Sequence, residues 1–232
     1  MDSKPPGLKI LDITSILLVL VAAGMVFFYA PLEVVMGWVQ KIFYFHVANL
    51  WVGMLGFLVA LIAGVTYLCN GDHRWDIVGL AAIEISVIFF FTGIVTGSIW
   101  ARPIWNTWWT WDPRLTTAAI VELVYVAYLM LRQGIEDPDR RARFGAVYAI
   151  LGFISVPLTF MSIRLLRTIH PVVIGSGDSA AQGGVDMTSK MLQTFFFTLF
   201  GFTVLFVDLM WRRIRLGNLA EKVEQLRLKV SR

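Results

Sequence analysis

Six long apolar runs divide this sequence, at 13–30, 42–69, 77–99, 115–131, 144–163 and 191–211. An α-helix needs about 20 predominantly apolar residues to cross the hydrocarbon of a bilayer. Inside that layer every backbone N–H and C=O must be satisfied within the protein. Hydrophobic residues make up 57% of the chain, above the roughly 45–50% of an ordinary soluble domain. The expected fold is an all-α membrane protein, a bundle of six transmembrane helices forming a single domain over residues 1–232. The second run is long enough to tilt or to pass beyond the interface. Pro157 in the fifth removes a backbone donor and predicts a kink there. The first run has no small-residue cleavage site close behind it and reads as a retained span.

Orientation follows from the distribution of Lys and Arg. With six spans, both termini share a side with the connections at 70–76 and 132–143. That side carries fourteen of the twenty basic residues, so the termini are expected in the cytoplasm. The 100–114 segment and the 164–190 loop, with its GSGDSAAQGG tract, then face outward. Beyond the last span, Leu216, Leu219, Val223, Leu226 and Val230 recur at three/four spacing. They predict a short cytoplasmic helix over 212–230 that packs on a partner or lies on the membrane surface.

The outer 100–114 segment is the densest in chemistry. Trp100, Trp105, Trp108, Trp109 and Trp111 fall within twelve positions, interleaved with Arg102, Asn106, Asp112 and Arg114. One or two Trp would read as an interfacial belt. Five make a flat apolar surface suited to a planar aromatic ligand. Two of the three histidines share this face: His46 at the outer end of the second span, and His170 in the loop after the fifth. His73 lies in the opposite turn and reads as solvated. Neutral imidazole is a common metal ligand, including the axial ligand of haem iron. A bare metal ion would need three or four close ligands, whereas haem brings four nitrogens and asks only for axial ones. The single cysteine, Cys69, excludes an internal disulfide and any Cys-x-x-Cys motif. Haem propionates would seek cations, and Lys41, Arg102 and Arg114 are the candidates, with lipid headgroups as their other natural partners.

Asp112 followed by Pro113 has the form of a helix N-cap and first helical position, and contact with a ligand is its other reading. Asn49 lies one turn from His46 and could orient the imidazole. Glu84 and Glu122 stand within spans, where charge is costly, and should face the bundle interior or a partner helix. Asp208 is near enough the cytoplasmic end to reach water or Arg212. No relay of carboxylates across the membrane can be traced, which disfavours a proton pump. Three classes remain open: a haem-binding delivery protein, a b-type haem electron-transfer subunit, and a scaffold without haem. Electron transfer across a membrane usually needs histidine pairs at two depths, and here there is one.

The 100–116 segment, WARPIWNTWWTWDPRLT, resembles the tryptophan-rich "WWD" segment of the haem-handling proteins of c-type cytochrome maturation, in their short six-span branch, CcmC. Ala101 stands where Gly is common. The resemblance extends to length, span number and both flanking histidines. It implies a haem handling and export role rather than an enzyme: haem b, transiently bound at the periplasmic face through His46 and His170, is delivered to the haem chaperone CcmE. It also implies assembly with CcmA and CcmB, the ABC transporter subunits, and with the small single-span CcmD.

Overall fold

The computed structural model describes residues 4–171 and 187–230, and the Gly-rich tract lies outside them. The described chain is helical, with seven α-helices: α1 (Pro6–Gly24), α2 (Gln40–Asn70), α3 (His73–Trp105), α4 (Pro113–Gln133), α5 (Pro138–Gly152), α6 (Ser155–Leu165) and α7 (Ser189–Val230). Six stretches are long and apolar enough to cross a membrane, because α5 and α6 act in series as one span. The break between them, at Phe153 and Ile154, falls about one turn before Pro157. A proline there cannot donate to the Phe153 carbonyl, and the helix closes through a tight turn in which Val156 N donates to Phe153 O (3.0 Å).

Short polar signals set the helix ends. Asp72, Asp112 and Asp137 each cap a helix by accepting a hydrogen bond from a backbone N–H in its first turn. Pro113 and Pro138 occupy the first helical positions, where a missing N–H costs nothing. At its far end α1 widens into one π-turn over Met25–Tyr29. Lys41, buried, donates from Nζ to the Val26 and Ala30 carbonyls of that turn (2.6 Å each). A cation satisfying the last carbonyls of a helix is favourable twice over, by hydrogen bond and by helix dipole.

The central pair is α2 and α3, packed along most of their length. Small residues allow that approach, as is usual where helices meet in lipid. A Cβ on Gly53 would stand 2.8 Å from Phe90 Cβ, and one on Gly56 would overlap the Ser86 hydroxyl. Phe57 stacks on Tyr125 of α4 with ring centroids 3.7 Å apart. Around this core α5 packs on α2, α6 on α4, and α7 on α1, α2 and α3. Large apolar side chains such as Ile13, Phe28 and Leu123 point outward.

Charges within the bundle are paired, Glu84 of α3 with Arg213 of α7 and Asp208 with Arg212 one turn further along α7. Glu84 accepts from Arg213 (Nη2–Oε1 2.9 Å), and Asp208 accepts from Arg212 (3.1 Å). Glu122 is buried, and its Oε2 has no partner among the described residues. The expected C-terminal helix is the uninterrupted continuation of the sixth span. At 42 residues, α7 is about 63 Å long, twice the hydrocarbon thickness of about 30 Å. Gly217 maintains its contact with α3, since a Cβ there would meet Ile77 Cγ2 at 2.5 Å.

Candidate functional site

At the tryptophan end of the bundle the chain brings His46 and His170 together. Their ring centroids lie 6.4 Å apart with planes at 40°. His46, on the second turn of α2, donates from Nδ1 to the Gly93 carbonyl of α3 (2.8 Å). His170 donates from Nδ1 to the Pro171 carbonyl (3.0 Å). A carbonyl only accepts, so each Nδ1 carries a proton, and in the neutral ring Nε2 keeps its lone pair. This is the protonation state that a metal ligand needs. Burial holds the His170 imidazole far below its ordinary range, at about 3, with Arg114 and His46 adding to the shift.

The position of His46 is set by what α3 lacks. A Cβ on Gly97 would stand 2.6 Å from His46 Cε1 and 2.9 Å from Nδ1. Gly93 offers its carbonyl from the preceding turn of the same face. His170 is held through Asp112. While Asp112 Oδ1 caps α4 by accepting from Leu115 N (2.9 Å), Oδ2 accepts from Thr168 Oγ1 (2.6 Å) and Ile169 N (3.2 Å). Thr168 Oγ1 in turn accepts from His170 N (3.1 Å). The N-cap reading of Asp112 holds, and the residue also ties the tryptophan segment to the histidine turn.

Most of the tryptophans gather beside the histidines. Trp100 and Trp105 extend α3 instead of leaving it, edge to face with centroids 5.2 Å apart, and α3 ends at Asn106 in the left-handed region (φ 55°). Trp105 stands edge-on to His170 at 6.4 Å. Trp100, Trp105, Trp108 and Trp109 line a small cavity of about 60 Å³ with His46, His170 and Arg114. The Trp100 and Trp109 indole nitrogens are buried with no partner among the described residues. Trp108 is 58% exposed; Trp111, 77% exposed, does not line the cavity and packs on Trp109 with centroids 5.7 Å apart. A second, larger cavity of about 620 Å³ opens on the other side of the same histidines and Arg114, among α2, α6 and α7.

Of the three candidate cations, only Arg114 reaches the histidines. It donates to the Thr159 carbonyl and lies over the Phe160 ring at 5.2 Å. The structure places the other two elsewhere. Lys41 is committed to the end of α1, and Arg102 donates to the Asn106 carbonyl (2.7 Å) and side chain, closing α3. Asn49 does not orient His46, because its amide donates back to the Phe45 carbonyl of its own helix (2.7 Å). The groups that hold the histidines are Gly93, Gly97, Thr168 and Pro171, together with Asp112. The only advance signal for them besides Asp112 was the small-residue spacing Gly93-x-x-x-Gly97. Far from this site, His73 pairs with Asp139 (2.9 Å). Among the described residues no group of three or more His, Cys, Asp or Glu could hold a metal ion.

A six-span bundle with two neutral, lone-pair-bearing imidazoles beside an aromatic cluster has the form of a membrane protein that handles a planar metal-bearing ligand. Comparison with known proteins gives the class a family: a family model described as "CcmC: Heme exporter protein C" matches residues 6–229, and the chain belongs to that family. Similar proteins carry the same name. The Bradyrhizobium diazoefficiens heme exporter protein C is 32% identical over 199 residues, 86% of this chain and 74% of its own. That of Rhodobacter capsulatus is 30% identical over 207 residues, 86% and 81%. That of Escherichia coli K12 is 29% identical over 207 residues, 88% and 80%.

Proposed function

We propose that this chain binds haem between His46 and His170 and hands it to an acceptor, the haem chaperone CcmE, during c-type cytochrome maturation. The observation carrying this reading is the histidine pair. An imidazole nitrogen sits about 2 Å from a metal it ligates and about 1 Å from its own ring centre. One iron held from both sides therefore sets the ring centres about 6 Å apart, against the observed 6.4 Å. The ring nitrogens of haem supply the ligands that the protein lacks. Arg114 and the unpartnered indole N–H groups of Trp100 and Trp109 would receive the propionates, as buried donors require an acceptor. The small tryptophan-lined cavity takes an edge of the macrocycle and not its whole width, so Trp108 and Trp111 are left as an outer surface for a docking partner.

In this reading the chain is a handling protein and not an enzyme. Haem b is its cargo, the site faces the periplasm, and CcmA, CcmB and CcmD are its membrane partners. The basic-residue asymmetry and the family membership support that placement. The test is the visible spectrum of the purified chain, followed by transfer. Wild type should show a low-spin, bis-imidazole Soret band, and His46→Ala or His170→Ala should shift or lose it. Haem-loaded chain, reconstituted with apo-CcmE and the other membrane subunits, should yield covalent haem on CcmE in a denaturing gel. An unaltered spectrum in the double His variant would refute the ligand pair, and no adduct with all subunits present would refute delivery.

A further inference from the structure

The larger cavity extends away from the tryptophans, into the depth of the bundle. Its walls are Val47 and Met54 of α2, Phe160 and Ile163 of α6, and Leu199 and Thr203 of α7. On α2 the lining runs from His46 to Met54, and on α7 from Phe195 to Thr203. Eight residues of helix rise about 12 Å, more than a third of a hydrocarbon layer of about 30 Å. Two further lining rings, Phe196 and Phe200, are 58% and 57% exposed on a membrane-spanning helix. The mouth of the slot is therefore bordered by side chains that face hydrocarbon. The slot lies between two groups of helices, since α6 is seated on α4 whereas α7 is seated on α1, α2 and α3.

Polarity along the slot is graded. Arg114, Arg164, His46 and His170 cluster at the end toward the tryptophans, and below them the lining is apolar apart from Thr203, whose hydroxyl accepts from Trp51 Nε1 (3.0 Å). This gradient matches a flat apolar body carrying carboxylates on one edge, dissolved in a leaflet with the carboxylates at the interface. It does not match a solute arriving from water, which would meet the tryptophan side, where there is only about 60 Å³. At about 620 Å³ the slot lies within the range of small-molecule sites, roughly 300–1,000 Å³.

We infer that haem is loaded laterally out of the bilayer, edge first, through the slot between α6 and α7, until its iron reaches the two imidazoles. This rests on the haem-binding reading above. Apo-chain in phosphatidylcholine vesicles is mixed with haemin-loaded vesicles of the same lipid, and growth of the histidine-ligated Soret band is followed. Narrowing the slot with Ile163→Trp should slow loading at least tenfold and leave the final spectrum unchanged. Widening its mouth with Phe196→Ala and Phe200→Ala together should speed loading about threefold. Loading of both variants at the wild-type rate overturns the lateral route while leaving haem binding intact. Should the Ile163→Trp chain fail to fold, the widened chain decides alone, and a rate no faster than wild type overturns the route. A wild-type chain that takes up no haem overturns both readings.

Discussion

Asp112 accepts a hydrogen bond from Thr168 at 2.6 Å across 56 positions of sequence. The bond joins the end of the tryptophan segment to the turn that carries His170, while the other carboxylate oxygen caps α4. Asp112→Ala removes both functions. Loss of an N-cap costs about 1 kcal/mol, a small effect on a six-span bundle. Release of the His170 turn should be the larger consequence, weakening haem binding about tenfold in a spectrophotometric titration. Asp112→Asn keeps one accepting oxygen and should fall between. Equal haem affinity in all three chains would show that the clamp does not position His170.

Gly97→Ala is the smallest change that reaches the other histidine. Its methyl would stand 2.6 Å from His46 Cε1, so the ring must turn away from Gly93 or the helices must separate. The altered chain should insert and remain helical by circular dichroism, yet show a changed Soret band and haem affinity lower by tenfold or more. A wild-type spectrum would mean that α2 and α3 absorb the methyl elsewhere.

Acid should leave haem binding alone over an unusually wide range. An exposed His ligand competes with protons near its ordinary value of about 6.5, whereas His170 is held at about 3. Affinity should stay flat from pH 8 to pH 5. Stability behaves differently, because His170 gains its proton in the unfolded chain first. Its contribution is therefore fully present above about pH 6.5 and lost progressively as pH falls toward 3. Loss of the Soret band with a midpoint near 6.5 would contradict the burial of this ring.

The tryptophans should separate by role. Trp109→Phe keeps an aromatic face and loses a buried donor, at a cost of about 1.5–3 kcal/mol when the partner is charged, or about tenfold or more in haem affinity. Trp108→Phe, at an exposed position, should be close to neutral for binding, and Trp108→Ala should reduce transfer to CcmE instead. Equal effects of Phe at 108 and 109 would remove the indole N–H from the site.

Sidedness is tested by labelling on a Cys69→Ser background. Asn106→Cys should react with an impermeant maleimide from the periplasmic side, and Asp139→Cys should not. The reverse pattern would invert the bundle. Ser179, an obvious third position, lies outside the described residues.

The architecture was legible because a bilayer imposes it: hydropathy marks the spans, Asp-Pro marks the starts of α4 and α5, and Pro157 marks the break before α6. The histidine pair was legible from topology alone, since both residues fall at one end of their spans. What the sequence concealed were hydrogen bonds to main-chain oxygens. Lys41 looked available because the carbonyls it satisfies are exposed only by the π-turn closing α1. Arg102 looked available because the 100–105 stretch read as a loop, whereas it is the last turns of α3. Asn49 shares a helix face with His46, but the spacing that places it there also brings its amide to the Phe45 carbonyl. The slot beside α7 left no motif, because its lining differs from any lipid-facing surface only in what stands opposite.

Both imidazoles are fixed by donating to backbone carbonyls, Gly93 for one and Pro171 for the other. Because every residue type offers the same carbonyl, no exchange of side chain can delete either acceptor. Sequence drift around the site can alter its shape, its polarity or its partners, yet the tautomer of each ring is written into the main chain. Loss of either tautomer by a single substitution must then come through the histidines themselves or through changes that displace the peptide groups, as a Cβ on Gly97 would.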